Sequence, residues 1–284
     1  VLNIILDPIF IFELDSFGGI GFGLGIAGAA MATVISQLVV FFVFIVMLFF
    51  KDHSYISFNL NDFTFSTEIL WDIIKVGLPA SLSMIVMAVG QGVFNKILVH
   101  ISVETVAAYQ VAGRLDMLVF LPIFSIAASL TTLIGMFYGA KEFEALRFTI
   151  RYGIISALII TIFSSALVYI FADQVVRFFT EDESIVLIAV NFLQIFAFAY
   201  PFIAVGITTG RVLQGLGKGL PVLVITIVRV LGVSAPLALF FVFIMEKSVE
   251  WVWYSMMLST VVAFAIGLTW LVSTIKKLPV KKSD

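Results

Sequence analysis

The sequence predicts an all-α polytopic membrane protein, and three observations carry that prediction. Of its 284 residues 62% are hydrophobic and only 12% charged, with a mean hydropathy of +1.18, far outside globular averages. Several stretches run without a charge for longer than the roughly 20 residues a helix needs to cross a bilayer. The remaining charges gather between those stretches, apart from a few set deep inside them, of which Arg114 and Asp116 are the clearest.

The chain begins VLNIILDPIF, already hydrophobic, with no initiator Met and no charged leader, and is expected to be the C-terminal part of a longer protein. Asn3 and Asp7 stand one helical turn apart on one face, just before Pro8, whose missing N–H loosens the backbone ladder. An amide, a carboxylate and freed carbonyls are hard oxygen ligands suited to Na⁺ or to a proton relay. The alternative is a helix end carrying a solvated Asp. After a Gly-rich turn, residues 16–50 contain no charge. There Gly21, Gly25 and Ala29 repeat small residues every fourth position, the pattern that lets another helix approach closely, and Thr33 lies deeper in the same helix.

Residues 51–75 form a polar connector. The next span, Val76 to Asn95, has Pro79 in its first turns and a stripe of Ser83, Met87, Gln91 and Asn95, read either as cavity lining or as hydrogen-bonding glue between helices. After a short connection through His100 comes the Arg114 helix, ETVAAYQVAGRLDMLVFLPIF. A charge at mid-bilayer costs roughly 2.5 to 3.5 kcal/mol, so both Arg114 and Asp116 should face a bundle interior or a wet cavity. Two residues apart, they point about 200° apart around the helix and need separate partners. Arg114 shares its face with Gln110, and Asp116 lies under Tyr109 and Gly113. The alternative is a buried polar anchor that fixes helix packing.

Tyr138 to Arg151 is a charged connector, and Tyr152 to Ala172 is a charge-free span. In the following span, Ser184 to Gly210, Asn191, Gln194 and Phe198 share one broad face, and Pro201 predicts a kink. The span from Pro221 to Met245 contains Arg229, expected to snorkel towards the turn at Lys218, and Pro236. The last span, Trp251 to Ile275, opens with an interfacial aromatic cluster and is followed by the basic tail KKLPVKK.

Alternating connectors together with the tail hold 11 of the 16 Lys and Arg residues, against Lys96, Arg177 and Lys247 on the other side. By the positive-inside rule the tail is cytoplasmic. No Cys is present, which removes disulfides, thiolate metal sites and Cys nucleophiles. His53 and His100 are isolated and read as loop residues. There is no HExxH, GxSxG or Walker loop, and GLGKGLP has no Ser or Thr after its Lys, so no enzyme is expected. A net charge of −2 gives no footprint for nucleic acid.

NIILDPIFIF followed by GIAGAAMATVISQ resembles the fifth and sixth helices of multidrug and toxic compound extrusion (MATE) transporters. AAYQVAGRLDMLVFLP resembles the eighth helix of the DinF-like branch, which carries an Arg there. The NorM-like branch has acidic residues in helices seven and ten, where Met87 and a position near Ile203 are apolar here. The resemblance implies the end of helix five and helix six in residues 1–50, an inter-lobe linker at 51–72, a six-helix C-terminal lobe at 73–275 and a cytoplasmic tail at 276–284. That makes the end of one transmembrane helix and seven complete ones. It implies a cation site of Asn3, Asp7 and Thr33, with Asn3 and Asp7 as Na⁺ ligands if the ion is Na⁺ rather than H⁺. A substrate cavity is expected from Met87, Gln91, Asn95, Gln110, Arg114, Asn191, Gln194 and Phe198, with Asp116, Pro79, Pro201 and Arg229 as structural anchors. The implied function is cation-coupled export of organic, cationic and aromatic compounds across the plasma membrane without a cofactor. The expected partners are the lipid bilayer, small organic substrates and the N-terminal lobe helices, in a monomer when full length. A lipid-linked oligosaccharide flippase of the same superfamily and a non-transporting scaffold are the alternatives.

Overall fold

The computed structural model describes residues 2–13, 21–49 and 64–279 and divides into two compact units, Val1–Phe65 and Ser66–Asp284. Among the described residues six helices are long and apolar enough to cross a membrane, and a bent pair brings the number to seven where it counts as one span.

The first unit pairs α1 (Leu2–Ile11) with α2 (Gly25–Phe49). The last carbonyls of α1 are taken up by the segment that returns to α2. Phe22 N donates to Ile9 O at 2.9 Å, Leu24 N to Phe10 O at 3.0 Å and Gly23 N to Phe12 O at 2.8 Å. Gly23 turns there with φ +62°, a conformation that suits a residue without Cβ. The helix contact runs along Gly28, Ala32 and Ser36, the buried residues of α2. That seam lies one position off the one expected from Gly25 and Ala29, because the close approach to α1 occurs at Gly28. A Cβ there would lie 2.2 Å from Phe10 O, whereas one on Gly25 would meet nothing within 4 Å.

The second unit is built around α4 (Val103–Gly139), which packs against α3 (Thr67–Ile101), α5 (Phe143–Arg177), α6 (Glu183–Ala197) and α7 (Tyr200–Gly215). A further span runs through α8 (Leu220–Ile227), a π-helical stretch Val228–Ser234, α9 (Ala235–Leu239) and a second π stretch Phe240–Ile244. The chain ends in α10 (Glu250–Lys276). Two apolar clusters fill the core, one around Ile97, Phe192, Tyr200 and Trp253 and one around Ile134, Leu146, Leu213 and Leu271.

Several helices outrun the apolar stretches that predict them. α3 starts at Thr67, where Ser66 Oγ accepts from Ile69 N at 3.3 Å, so Pro79 sits in the helix interior and not in its first turns. α5 starts at Phe143, so most of the expected connector through Arg151 is helical. His100 lies in the last turn of α3, stacked on Phe243 with ring centroids 4.5 Å apart, and is no loop residue; His53 falls outside the described residues. The cause is length: at 1.5 Å per residue, helices of 35 to 37 residues exceed the ~30 Å hydrocarbon core, and their charged turns stand in the interfacial layers.

The kink at Pro201 is present and has two supports. α6 and α7 meet at 59°. Proline at 201 removes the donor that would serve Ala197 O, and Ser165 Oγ of α5 donates to that carbonyl instead, at 2.8 Å. Tyr200, with no exposed surface, anchors the other side by donating its O–H to the Asp116 carboxylate on α4.

Candidate functional site

In the first unit Asn3, Asp7 and Thr33 form one hydrogen-bonded group. Asn3 Nδ2 donates to Asp7 Oδ1 at 3.1 Å and to Thr33 Oγ1 at 3.4 Å, while Thr33 gives its own proton to Ala29 O at 2.9 Å. Each contact has a local cause. The i, i+4 spacing stacks Asn3 over Asp7, and the Gly28 seam holds α2 near enough to α1 for Thr33 to reach across. With its proton committed to Ala29, Thr33 faces Asn3 as an oxygen acceptor.

A single carboxylate with an amide and a hydroxyl is a poor divalent site and a suitable monovalent one. No cluster of three His, Cys, Asp or Glu exists among the described residues. Because Asn3 offers its nitrogen to both neighbours, the group as it stands suits an ionised or protonated Asp7. To ligate Na⁺, the Asn3 amide must turn over and present Oδ1.

In the second unit the polar stripes of α3 and α4 meet where Gln110 Nε2 donates to Asn95 Oδ1 at 3.4 Å. Arg114 is exposed one turn along from Gln110, and Met87 and Gln91 are exposed on α3. Within this unit the face of α4 that carries Arg114 is left open. Asn191 and Gln194 are half-buried on α6, and Phe198 packs edge-on against Tyr169 of α5, centroids 5.7 Å apart. Among the described residues these three make no hydrogen bond or ring contact with the α3–α4 group. Arg229 is half-buried in the first π stretch and within electrostatic reach of Tyr109.

Sequence reasoning did not find Tyr200 or Ser165. Tyr200 could have been suspected, since an intramembrane Asp needs a donor and Tyr200 stands beside the kink-forming Pro201.

The MatE family model matches residues 79–240, more than half of the chain. The chain belongs to the MatE family. It is 27% identical over 273 residues to the probable multidrug resistance protein NorM of Thermotoga maritima, covering 96% of this chain and 57% of that protein. It is 30% identical over 218 residues to the multidrug export protein MepA of Staphylococcus aureus, covering 77% of this chain and 46% of that one. A multidrug resistance MATE transporter solved in an outward-facing conformation superposes with a TM-score of 0.89 at 33% identity, over 98% of this chain and 60% of that one. A transporter of the same superfamily from Pyrococcus furiosus gives 0.88 at 34% identity, covering 99% and 61%. This MatE chain therefore spans about half the length of the curated relatives it matches. Those relatives are transporters, not enzymes, and the long apolar helices of this chain make it a multi-pass membrane protein.

Proposed function

We propose that this MatE chain works as the greater part of a two-lobed, cation-coupled antiporter that exports organic compounds, cationic and aromatic ones foremost, by alternating access. The observation that carries the reading is the hydrogen-bonded group of Asn3, Asp7 and Thr33, a titratable carboxylate in an apolar helix pair. Intramembrane carboxylates of this kind mark ion pathways. The multidrug relatives support the substrate class, and Arg114 with its neighbours Asn95 and Gln110 supports the DinF-like branch and a polar substrate face. In this reading residues 51–72 link the lobes and the tail is cytoplasmic. The protein is a plasma-membrane monomer, and the coupling ion is H⁺ or Na⁺. Each elementary charge moved inward is worth about 2.3 kcal/mol per 100 mV, ample for uphill export.

The test is uptake of a fluorescent organic cation into vesicles carrying the full-length protein, under separately imposed H⁺ and Na⁺ gradients. Gradient-dependent flux supports the antiporter. Its absence, with the protein folded, returns the chain to a flippase or a scaffold.

A further inference from the structure

Asp116 carries a carboxylate into the middle of α4, where its hydrogen-bond donor is Tyr200 of α7. Tyr200 is the first residue after the break between α6 and α7 and is wholly buried. The 59° bend is thus held from two sides, by Ser165 on the carbonyl that Pro201 leaves without a backbone donor and by Asp116 on the side chain that follows the break. The two supports differ in kind. The Ser165 bond joins a hydroxyl to a carbonyl and is indifferent to protons, whereas the strength of the Asp116 bond depends on whether the carboxyl is ionised.

We infer that Asp116 is a proton-binding site of this helical unit, and that proton uptake there loosens the hydrogen bond from Tyr200 and so frees the bend between α6 and α7. The chemistry is a single protonation: a proton joins an Asp116 carboxylate oxygen, and no other covalent bond changes. An ionised carboxylate only accepts, and an O–H bond to it is roughly twice as strong as one between neutral groups. Once neutral, the acid holds Tyr200 less tightly and has a proton of its own to donate.

The surroundings leave few other titratable groups to do this. Tyr109 lies on the same helix, within electrostatic reach of both Asp116 and Arg229 of the π stretch. The middle sections of α3, α5, α6 and α10 contain no Asp, Glu, Lys, Arg, His or Tyr, since Lys75, Lys96, His100, Arg151, Tyr152, Tyr169, Glu183 and Tyr254 stand towards helix ends, as does Arg211 on α7. The same core also holds buried polar atoms without a partner. Trp253, with no exposed surface and stacked on Tyr109 at 5.9 Å, has an Nε1 without a partner among the described residues, and so does Asn191 Oδ1.

The inference rests on the transport reading for its use but not for its test, which needs no substrate and no gradient. The full-length protein in liposomes is taken from alkaline to acid pH and followed by infrared difference spectroscopy. A carboxylic-acid C=O band should appear in the parent and be lost in Asp116→Asn. Because the chain has no Cys, spin labels at Leu187→Cys on α6 and Arg211→Cys on α7 report the bend by pulsed electron resonance. Their separation should shift with pH in the parent and become independent of pH in both Asp116→Asn and Tyr200→Phe. An infrared difference unchanged by Asp116→Asn, or a pH-dependent separation that survives Tyr200→Phe, overturns the proposal. Should Asp116→Asn fail to fold, Tyr200→Phe, which removes one oxygen, decides on the separation alone. Loss of dye transport with these signals intact would count against the antiporter and leave the proton site standing.

Discussion

Asn3 and Thr33 stand 30 residues apart in the chain, and their side chains meet at 3.4 Å across the α1–α2 contact. Between them the Asn3 amide directs its nitrogen to both Thr33 and Asp7. A bound proton sits on Asp7 without disturbing that orientation, whereas Na⁺ requires the amide to turn and Thr33 to supply an oxygen. With H⁺ as the driving ion, Asp7→Asn abolishes gradient-driven dye efflux and Thr33→Val retains most of it. With Na⁺, both variants lose Na⁺-driven efflux. Parallel binding assays should show substrate binding intact in each, and unchanged efflux by a well-folded Asp7→Asn protein would remove Asp7 from the mechanism.

Arg114 and Arg229 are both intramembrane guanidiniums and should behave differently. Arg114 is exposed on the open face beside Gln110, so its replacement leaves stability within about 0.5 kcal/mol. A charged hydrogen bond to a substrate or to a facing helix is worth about 1.5 to 3 kcal/mol, so Arg114→Met should cut efflux about tenfold or more at equal expression. Arg229 is half-buried without a hydrogen-bond partner among the described residues. Exchanging such a charge for an apolar side chain of similar volume is often neutral or stabilising. Arg229→Met should therefore keep the parental melting temperature and lose less efflux than Arg114→Met. Equal mild effects of the two in a drug-resistance assay would make Arg114 a packing residue.

The seven spans were legible because hydropathy reports bilayer crossing directly, and Asn3 with Asp7 was legible because both lie on one short helix. Thr33 was reached through the small-residue spacing of its helix and through resemblance, but nothing in that helix alone fixes which side meets α1. The seam was misplaced by one residue for the same reason: Gly25 and Gly28 look equivalent in sequence, and only the packed pair shows which lies against Phe10. Pro201 announced a kink, but not that Ser165 and Asp116 would support it from other helices. The π stretches around Arg229 have no local signature beyond Gly232 and Pro236, so they could not be read.

Orientation is testable through the Cys-free background. Ser184 stands at the start of α6, where Asp182 Oδ1 accepts from its backbone N at 2.9 Å, on the Lys- and Arg-poor side. Ser57 and Ser283 lie outside the described residues and belong to the Lys- and Arg-rich side. With an impermeant maleimide on intact cells, Ser184→Cys should be labelled while Ser57→Cys and Ser283→Cys stay silent. The reverse pattern would invert the topology.

Gly28 supplies a test that separates the α1–α2 contact from the chemistry of Asp7. A Cβ at Gly28 would fall 2.2 Å from Phe10 O, 2.5 Å from its carbon and 3.1 Å from Ile11 N. All three are backbone atoms, which cannot rotate away as a side-chain end would, so the helices must part. Overpacking of this kind costs typically about 1 to 3 kcal/mol. Even a small separation breaks the Asn3–Thr33 bond, already long at 3.4 Å, while Asn3 and Asp7 stay together on α1. Gly28→Ala should therefore lower the melting temperature and, with Na⁺ as the driving ion, weaken coupling, and Thr33→Val should weaken the Asn3 contact without the loss of stability. A Cβ on Gly77 would meet nothing within 4 Å, and its φ is not positive, so Gly77→Ala is the control expected to melt as the parent does. A Gly28→Ala protein with parental melting and parental coupling would show that α1 and α2 are not held as closely as the site requires.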